Sequence, residues 1–251
     1  MKFFRFIGRK IANAFHFMAY CWLYFICKVF MPNKVYGKEN IKENDEARVF
    51  LSNHLELYGP IVMHVHFPIK KKAIWIHEYM LNKDKIEEQM AYGFVELHFK
   101  WIPKFIKRAI VKIFKHFLLY VLKNKVNGIS VSRENSRELV ATMKNTYQKI
   151  EEGNSIIIFP EKLYQNEGVG ELLAGFTTIA KYVYKKSGKK VSFYPVYIDK
   201  KHGKTHIGNP IKYDPTDEYY SDNITEYIYT AINKLSAKSQ KMGKVVPEVS
   251  N

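Results

Sequence analysis

The stretch that decides the fold is SIIIFPE, residues 155–161. After Ser155 it continues with three isoleucines and a phenylalanine, and a Pro-Glu pair ends the run. Short, uninterrupted apolar runs of this kind are typical of strands covered on both faces, as in parallel sheets. A second run, VSFYPVYI at residues 191–198, has the same character. The two runs therefore predict a buried sheet with Glu161 just beyond the end of one of its strands.

The same alternation of short apolar runs and longer helical periods extends to both sides of these stretches. Further strands are predicted at residues 48–51, 73–76, 128–131 and 204–207. Helices are predicted between the strands, at residues 60–66, 84–93, 103–122, 136–152, 169–186 and 222–237. This order predicts an α/β fold with a mixed, largely parallel sheet flanked by helices. A length of 251 residues fits one large domain better than two.

The N-terminal segment differs from the rest, because residues 11–31 are interrupted only by Asn13, His16 and Lys28. A helix of this length would extend about 31 Å, enough to cross a hydrocarbon core. Basic residues precede the run and no small-residue cleavage site follows it, which predicts an uncleaved membrane-anchoring helix with a cytoplasmic amino end. The alternative is a buried or interfacial helix that does not span. We therefore expect three regions: an anchor at 1–32, a folded domain at 33–238 and a polar tail at 239–251.

The formal charge is +16, from 40 basic and 24 acidic residues. Two stretches without any acidic residue, 1–38 and 97–133, account for the whole excess. Nucleic acid and anionic lipid are the partners that such charge favours. Nucleic acid does not explain the apolar N-terminal run, and no nucleic-acid-binding motif is present. We expect membrane phospholipid as a partner, no nucleic acid, and a membrane-associated protein with its active domain on the cytoplasmic side.

The second basic stretch has helical periodicity. On a helical wheel, one face carries Lys104, Arg108, Lys112 and Lys115, and the opposite face carries Ile106, Ile110, Ile113, Phe117, Tyr120 and Val121. Such a helix can lie on an anionic bilayer or hold phosphate, including that of a nucleotide-bearing thioester. A solvated basic face over an ordinary core face is the alternative.

Candidate functional residues follow three of the predicted strands: Asn53-His54, Ser132-Arg133 and Pro160-Glu161. Functional side chains gather where strands end and helices begin in α/β folds. His64 and His66 would point to different sides of a helix, so we expect no metal site. His202 and His206 lie in a Lys-rich turn and are expected to be solvated.

Five segments follow one another along the chain: SNH at 52–54, GISVSREN at 128–135, IFPE at 158–161, GFTTIA at 175–180 and YPVYI at 194–198. In this order and spacing the chain resembles the glycerophospholipid acyltransferase family, which includes the lysophosphatidic acid acyltransferases. The resemblance implies an α/β acyltransferase at the membrane surface. It would move a fatty acyl group from an acyl-CoA or acyl-ACP thioester, used as co-substrate without a bound cofactor, to a lysophospholipid or related glycerol-phosphate acceptor.

The resemblance also implies roles for individual residues. His54 would be the general base that takes the proton of the acceptor hydroxyl, a task that suits the pKa of imidazole. Arg133 would hold the acceptor phosphate with its planar set of donors, and Glu161 would bind or orient the glycerol. We also assign Asn53, Pro160 and Lys162 to substrate binding.

Several positions depart from the family pattern. The family has an Asp five residues beyond the His, where this chain has Gly59. Glu56 is close enough in sequence to replace that Asp as partner of His54, as is Tyr58. Lys162-Leu163-Tyr164 replace the usual Gly-Thr-Arg, and Ala174 replaces a common Lys. The departures leave open a catalytically silent relative that binds lipid or a partner protein at the membrane.

Overall fold

The computed structural model describes residues 2–44, 46–88, 101–132, 136–162 and 169–244. Its strands are β1 (Lys34–Tyr36), β2 (Ala47–Ser52), β3 (Lys72–His77), β4 (Ile129–Val131), β5 (Ser155–Ile158), β6 (Val191–Asp199), β7 (Lys204–Ile207) and β8 (Ile211–Lys212). Its α-helices are α1 (Lys2–Phe30), α2 (Tyr58–Val65), α3 (Glu78–Leu81), α4 (Lys85–Glu88), α5 (Lys104–Asn124), α6 (Ser136–Glu151), α7 (Thr178–Ser187) and α8 (Tyr220–Lys244). Short 3₁₀ turns cover Lys38–Asn40 and Ala174–Thr177.

The chain divides into two compact units, each built from two segments: Met1–Ile26 with Ile74–Thr142, and Cys27–Ala73 with Met143–Asn251. The larger, second unit contains strands in the order β1-β7-β6-β2-β5, with β8 also paired to β6. The β6/β2, β2/β5 and β1/β7 pairs are parallel, whereas β7 and β8 run antiparallel to β6. The predicted α/β class with a mostly parallel sheet flanked by helices is confirmed.

The core of the larger unit explains this architecture. All nine residues of β6 are buried, and so are all four of β5. Strand β2 lies between them, and its Phe50 ring contacts the rings of Phe67 and Tyr194. Strands that are buried on both faces need apolar side chains at successive positions, which is what the sequence runs supply.

The smaller unit contains the parallel pair β3/β4 and helices α3, α4 and α5. Helix α1 contacts α5 within this unit through rings, with His16 lying 5.3 Å from Tyr120 and 6.1 Å from Phe117, centroid to centroid. The Lys125 ammonium lies 4.3 Å from the centre of the Phe17 ring. Ile86, Val111 and Leu119 form a small buried cluster. Aromatic and cation–π contacts therefore join the two long helices here.

The six predicted strands are confirmed, while the predictions for helices α5, α7 and α8 differ from the structure. Helix α7 begins at Thr178, because residues 171–173 are extended and pair with residues 160–162. The helix predicted at 84–93 is described only as α4, and its remainder lies outside the described residues. In α5 the buried face contains Lys107 and Val111, whereas Ile106 and Ile110 of the predicted apolar face are exposed. Helix α8 continues to Lys244, past residue 238, where the polar tail was expected to begin.

Helix α1 is continuous from Lys2 to Phe30, as the apolar run predicts. Within the described parts of the chain, however, no helix combines the length and mean hydropathy needed to cross a membrane. Among the large apolar side chains that α1 exposes, Trp22 is 70% exposed and Phe15 65%.

Candidate active site

The carboxyl ends of β2, β5 and β6 lie at one edge of the sheet, because these three strands are parallel. Leu51 is in register with Ile158, and Ser52 with Val196. The residues that follow β2 and β5 are Asn53-His54 and Phe159-Pro160-Glu161. The edge therefore brings together two of the three predicted segments. Arg133, in the third segment, lies outside the described residues, although the preceding Ser132 is described and buried.

Asn53 connects the end of β2 to β6. Its side-chain amide donates to the Ile198 carbonyl at 3.1 Å, and its Oδ1 accepts from the Ile198 N–H at 2.8 Å. The side chain is only 1% exposed. These two bonds continue the β2/β6 pairing by one residue through a side chain. They give Asn53 a structural task, so its predicted role in substrate binding remains a prediction.

His54 is bonded to Glu161 through its main chain. The backbone N–H of His54 donates to Glu161 Oε2 at 2.7 Å, and the N–H of Gly170 donates to Oε1 at 2.9 Å. Glu161 is 2% exposed. Burial raises the pKa of the Glu161 carboxyl above its usual range, and the two N–H donors partly oppose that rise. His54 and Glu161 therefore lie close together, and the contact between them is a hydrogen bond from the His54 main chain to the Glu161 carboxylate.

The Glu161 side chain reaches Gly170 because the chain doubles back at this point. The N–H of Leu173 donates to the Pro160 carbonyl at 2.8 Å, and the N–H of Lys162 donates to the Glu171 carbonyl at 2.9 Å. Lys162 Nζ also lies 3.5 Å from Glu171 Oε2, with both side chains mostly exposed. Pro160 is buried, so its carbonyl serves this short ladder, while the Lys162 ammonium faces solvent beside the site.

Phe159 packs against both His54 and Gly59. Its ring meets the imidazole of His54 edge to face, with centroids 5.1 Å apart. A Cβ added at Gly59 would lie 3.3 Å from Phe159 Cε1, which is tighter than ordinary van der Waals contact, and 3.6 Å from the Asn53 carbonyl oxygen. The Phe159 ring therefore borders the space beside Gly59, the position at which the family pattern has an Asp.

Glu56 occupies an exposed turn between His54 and α2, and its φ of +48° is unusual for a residue with a side chain. Among the described residues, no hydrogen bond joins the Glu56 carboxylate or the Tyr58 hydroxyl to the His54 ring. Glu56 is exposed in this left-handed turn, and its role as partner of His54 stays a prediction.

A polar cluster around the last residue of β6 is not predicted from the sequence. Asp199 accepts hydrogen bonds from the His202 backbone N–H, from the Ser239 hydroxyl at 2.6 Å and at 2.8 Å from the His202 ring. His206 is 2% exposed and stacks on Tyr36, so the expectation that it is solvated is wrong. The signal that could have found the cluster is Asp199 itself, the only charged residue of β6.

No group of three or more His, Cys, Asp or Glu side chains suited to a metal ion occurs within the described ranges. Burial and the nearby Lys72 ammonium lower the pKa of His64 to about 4.

No family model and no curated protein sequence matches this chain. Among solved structures, it is similar to the crystal structure of the 1-acyl-sn-glycerophosphate (LPA) acyltransferase, PlsC, from Thermotoga maritima. The identity is 17%, the TM-score is 0.46, and the match covers 91% of this chain and 78% of that one. At this identity and TM-score the likeness indicates nothing about substrate or mechanism.

Proposed function

We propose that this chain is an acyltransferase that moves a fatty acyl group from an acyl-CoA or acyl-ACP thioester to a lysophospholipid or related glycerol-phosphate acceptor. The supporting observation is the placement of His54 at the carboxyl edge of parallel strands, with its backbone N–H bonded to the buried Glu161 carboxylate. Imidazole is a suitable general base near neutral pH, and an alcohol is a poor nucleophile until a base accepts its proton.

In the proposed reaction His54 accepts the proton of the acceptor hydroxyl as its oxygen attacks the thioester carbonyl carbon. A new ester C–O bond forms, the C–S bond breaks, and the thiolate leaves and receives the proton from the imidazolium. Two positive side chains are proposed for the acceptor phosphate: Arg133, as the family resemblance implies, and Lys162, whose exposed ammonium lies beside the site. Lys162 offers a point charge without the bidentate geometry of Arg.

The test is acyl transfer from radiolabelled acyl-CoA and acyl-ACP to a panel of lysophospholipids, with lysophosphatidic acid first. His54→Gln should lower the rate by at least about 10²-fold, in the range expected for loss of a general base. His116→Gln removes an exposed histidine outside the site and should leave the rate unchanged. Equal rates for the His54 variant and the wild type, or no transfer with any acceptor, would contradict the proposal.

The smaller unit supports a second element of the proposal, association with a membrane surface. Apolar side chains are exposed on α1, as at Trp22 and Phe15, and around the start of α5, where Trp101 is 81% exposed and Phe105 74%. The exposed basic residues Lys104, Arg108 and Lys112 lie among them. Aromatic rings interleaved with basic side chains favour an anionic bilayer interface. The placement of the catalytic residues on the cytoplasmic side stays a prediction from the basic amino end.

Vesicle sedimentation tests this element. Changing Lys104, Arg108 and Lys112 together to Gln should weaken binding to anionic vesicles by about 1 kcal/mol per charge near the surface. The matched control changes Lys181, Lys185 and Lys186 of α7, three exposed lysines in the other unit. Equal binding by the two triple variants would show that the basic face of α5 is ordinary solvated surface and does not bind the membrane.

One observation favours the catalytically silent alternative, namely the packing at Gly59. No carboxylate stands at this position, and Phe159 adjoins the space that an added side chain would enter. If the site has lost catalysis, His54→Gln leaves lipid binding intact, and Gly59→Asp and the double variant Gly59→Asp/Phe159→Leu both lack turnover. Activity in the double variant would show that the site is competent and that only the orienting acid is absent.

A further inference from the structure

The family resemblance makes Glu161 an acceptor contact, but its surroundings fit a different task. Both carboxylate oxygens accept backbone N–H groups, Oε2 from His54 at 2.7 Å and Oε1 from Gly170 at 2.9 Å. With 2% of its surface exposed, the side chain offers almost nothing to a molecule arriving from solvent. A glycerol hydroxyl would have to compete with main-chain donors that are already in place.

A carboxylate is well suited to holding these donors. Hydrogen bonds to an ionised acceptor are shorter and roughly twice as strong as neutral ones. The two donors belong to segments far apart in sequence, one between β2 and α2 and the other before the 3₁₀ turn at Ala174–Thr177. The ladder of residues 160–162 with 171–173 fixes the backbone that carries Glu161. The carboxylate is therefore a fixed point to which the backbone of His54 is attached.

The chain between His54 and α2 forms an irregular turn. The next residue but one, Glu56, has a positive φ, and α2 begins only at Tyr58. The residue before it, Asn53, is held by the backbone of Ile198. A general base must lie within hydrogen-bond reach of the proton that it accepts, and a displacement of 1 Å can cost about 10²-fold in rate.

We propose that Glu161 is a positioning residue, which fixes the general base His54 through its backbone N–H and does not bind the acceptor. The inference depends on the proposed function for its kinetic consequences and on the hydrogen bonds alone for its structural ones. An acceptor contact and a positioning residue differ in a measurable way. Loss of an acceptor contact raises the KM for the acceptor, whereas loss of positioning lowers kcat.

The test compares Glu161→Gln with Glu226→Gln, a control variant in which an exposed carboxylate of α8, away from the proposed acceptor contacts, is neutralised. In Glu161→Gln one arm of the side chain becomes an N–H donor and meets a backbone N–H donor. We expect kcat to fall about 10- to 100-fold, with less than a twofold change in the KM for lysophosphatidic acid. Glu226→Gln should change neither constant.

Nuclear magnetic resonance supplies a readout that is independent of turnover. With ¹⁵N-labelled histidine, the His54 amide proton should resonate downfield in the wild type and exchange slowly with solvent. In Glu161→Gln it should move upfield and exchange faster, while the other histidine amides stay in place. If the wild-type protein transfers no acyl group, the proposed function fails, and this measurement still decides the positioning role.

Three results would overturn the positioning role. One is a large rise in acceptor KM for Glu161→Gln with unchanged kcat. Another is a His54 amide that does not respond to the substitution. If the variant does not fold, the wild type alone remains informative, because a His54 amide that exchanges as fast as an unbonded one would contradict the hydrogen bond on which the inference depends.

Discussion

The two ends of α2 offer a direct comparison of how this fold accommodates charge. Just before its amino end, the Glu161 carboxylate accepts the His54 N–H at 2.7 Å. At its carboxyl end, Lys28 Nζ donates to the Val65 carbonyl at 3.5 Å and Lys72 Nζ to the Phe67 carbonyl at 3.4 Å. The signs of these charges match the preference of a helix dipole for anions toward the amino end and cations toward the carboxyl end, although Glu161 bonds to His54, before α2, and not to a helical N–H.

The difference between the ends lies in distance and burial. The bonds to Glu161 are short and the carboxylate is buried, whereas the bonds from the lysines are long and Lys28 is exposed. No ion pair joins Lys28 or Lys72 to an acidic side chain in the part of the chain that the structure describes. At both ends a charged side chain is hydrogen-bonded to main-chain groups. Only near the amino end are the main-chain groups buried donors that would lose their acceptor if the charged side chain were removed. Substitutions should therefore cost much more there.

Replacing Glu161 with Leu should have the largest effect on stability. The Leu side chain leaves the His54 and Gly170 N–H groups buried without an acceptor, and each such group costs about 1–3 kcal/mol. We expect a loss of about 2–5 kcal/mol in the free energy of unfolding, measured from the urea midpoint at unchanged slope. Glu171→Leu, at an exposed position of the same ladder, should change the midpoint little. Equal midpoints for the two variants would remove the asymmetry between the ends of α2.

The pH dependence of the free energy of unfolding should reflect His64, near the carboxyl end of α2. Burial and the Lys72 ammonium lower the pKa of His64 from 6.5 to about 4 in the folded protein. As the pH falls below 6.5 the unfolded chain takes up this proton first, so stability is lost between pH 6.5 and 4 and the loss is complete below that window. At 1.36 kcal/mol per unit, the loss attains about 3 kcal/mol.

The measurement is the difference in urea midpoint between pH 7 and pH 4.5, for the wild type and for His64→Gln. Burial also lowers the pKa of His66 and of His206, so the informative quantity is how much smaller the drop is in the variant. The same drop in both proteins would show that His64 is protonated in the folded state, and the cationic end of α2 would then tolerate charge as well as the amino end does.

Asn53→Ala tests whether a neutral side chain at the amino end supports the main chain in the same way. The substitution removes two buried bonds to Ile198 and leaves one N–H and one carbonyl of β6 unpaired. We expect a loss of about 2 kcal/mol, less than for Glu161→Leu because no charge-assisted bond is involved. Ser192→Ala, at another buried position of β6, is the control. A loss larger than that of Glu161→Leu would show that the amide, and not the carboxylate, dominates this edge.

The sequence is sufficient to predict that His54 and Glu161 meet. Each follows a fully buried run, and the ends of parallel strands lie at one edge. The role of Gly170 could not be predicted, because residues 169–173 have helical periodicity and become extended only through pairing with Pro160 and Lys162. The exposed turn at Glu56 could not be predicted either, since nothing in its local sequence requires a positive φ. Both depend on tertiary hydrogen bonds between distant segments.

Lys28→Gln should have the smallest effect. The ammonium is exposed and its bond to the Val65 carbonyl is long, so its favourable interaction with the end of α2 is about 0.3–1 kcal/mol and screened by salt. Lys28 also lowers the pKa of Lys72, which burial and this neighbour together bring to about 8. Neutralising Lys28 should therefore raise the pKa of Lys72 while changing the urea midpoint little.

Titration of the ¹³Cε resonance of Lys72 measures that shift, with Lys38→Gln as an exposed lysine control in the same unit. Because burial is the larger cause, the pKa of Lys72 should stay below the ordinary value of 10.5 even in Lys28→Gln. A return to 10.5 would mean that repulsion between the two lysines, and not burial, sets the state of this end. The two ends of α2 would then differ in the cause of their low tolerance for charge. The carboxyl end of α2 would be limited by its own like charges, and the amino end would be the only one at which burial raises the cost of a charge.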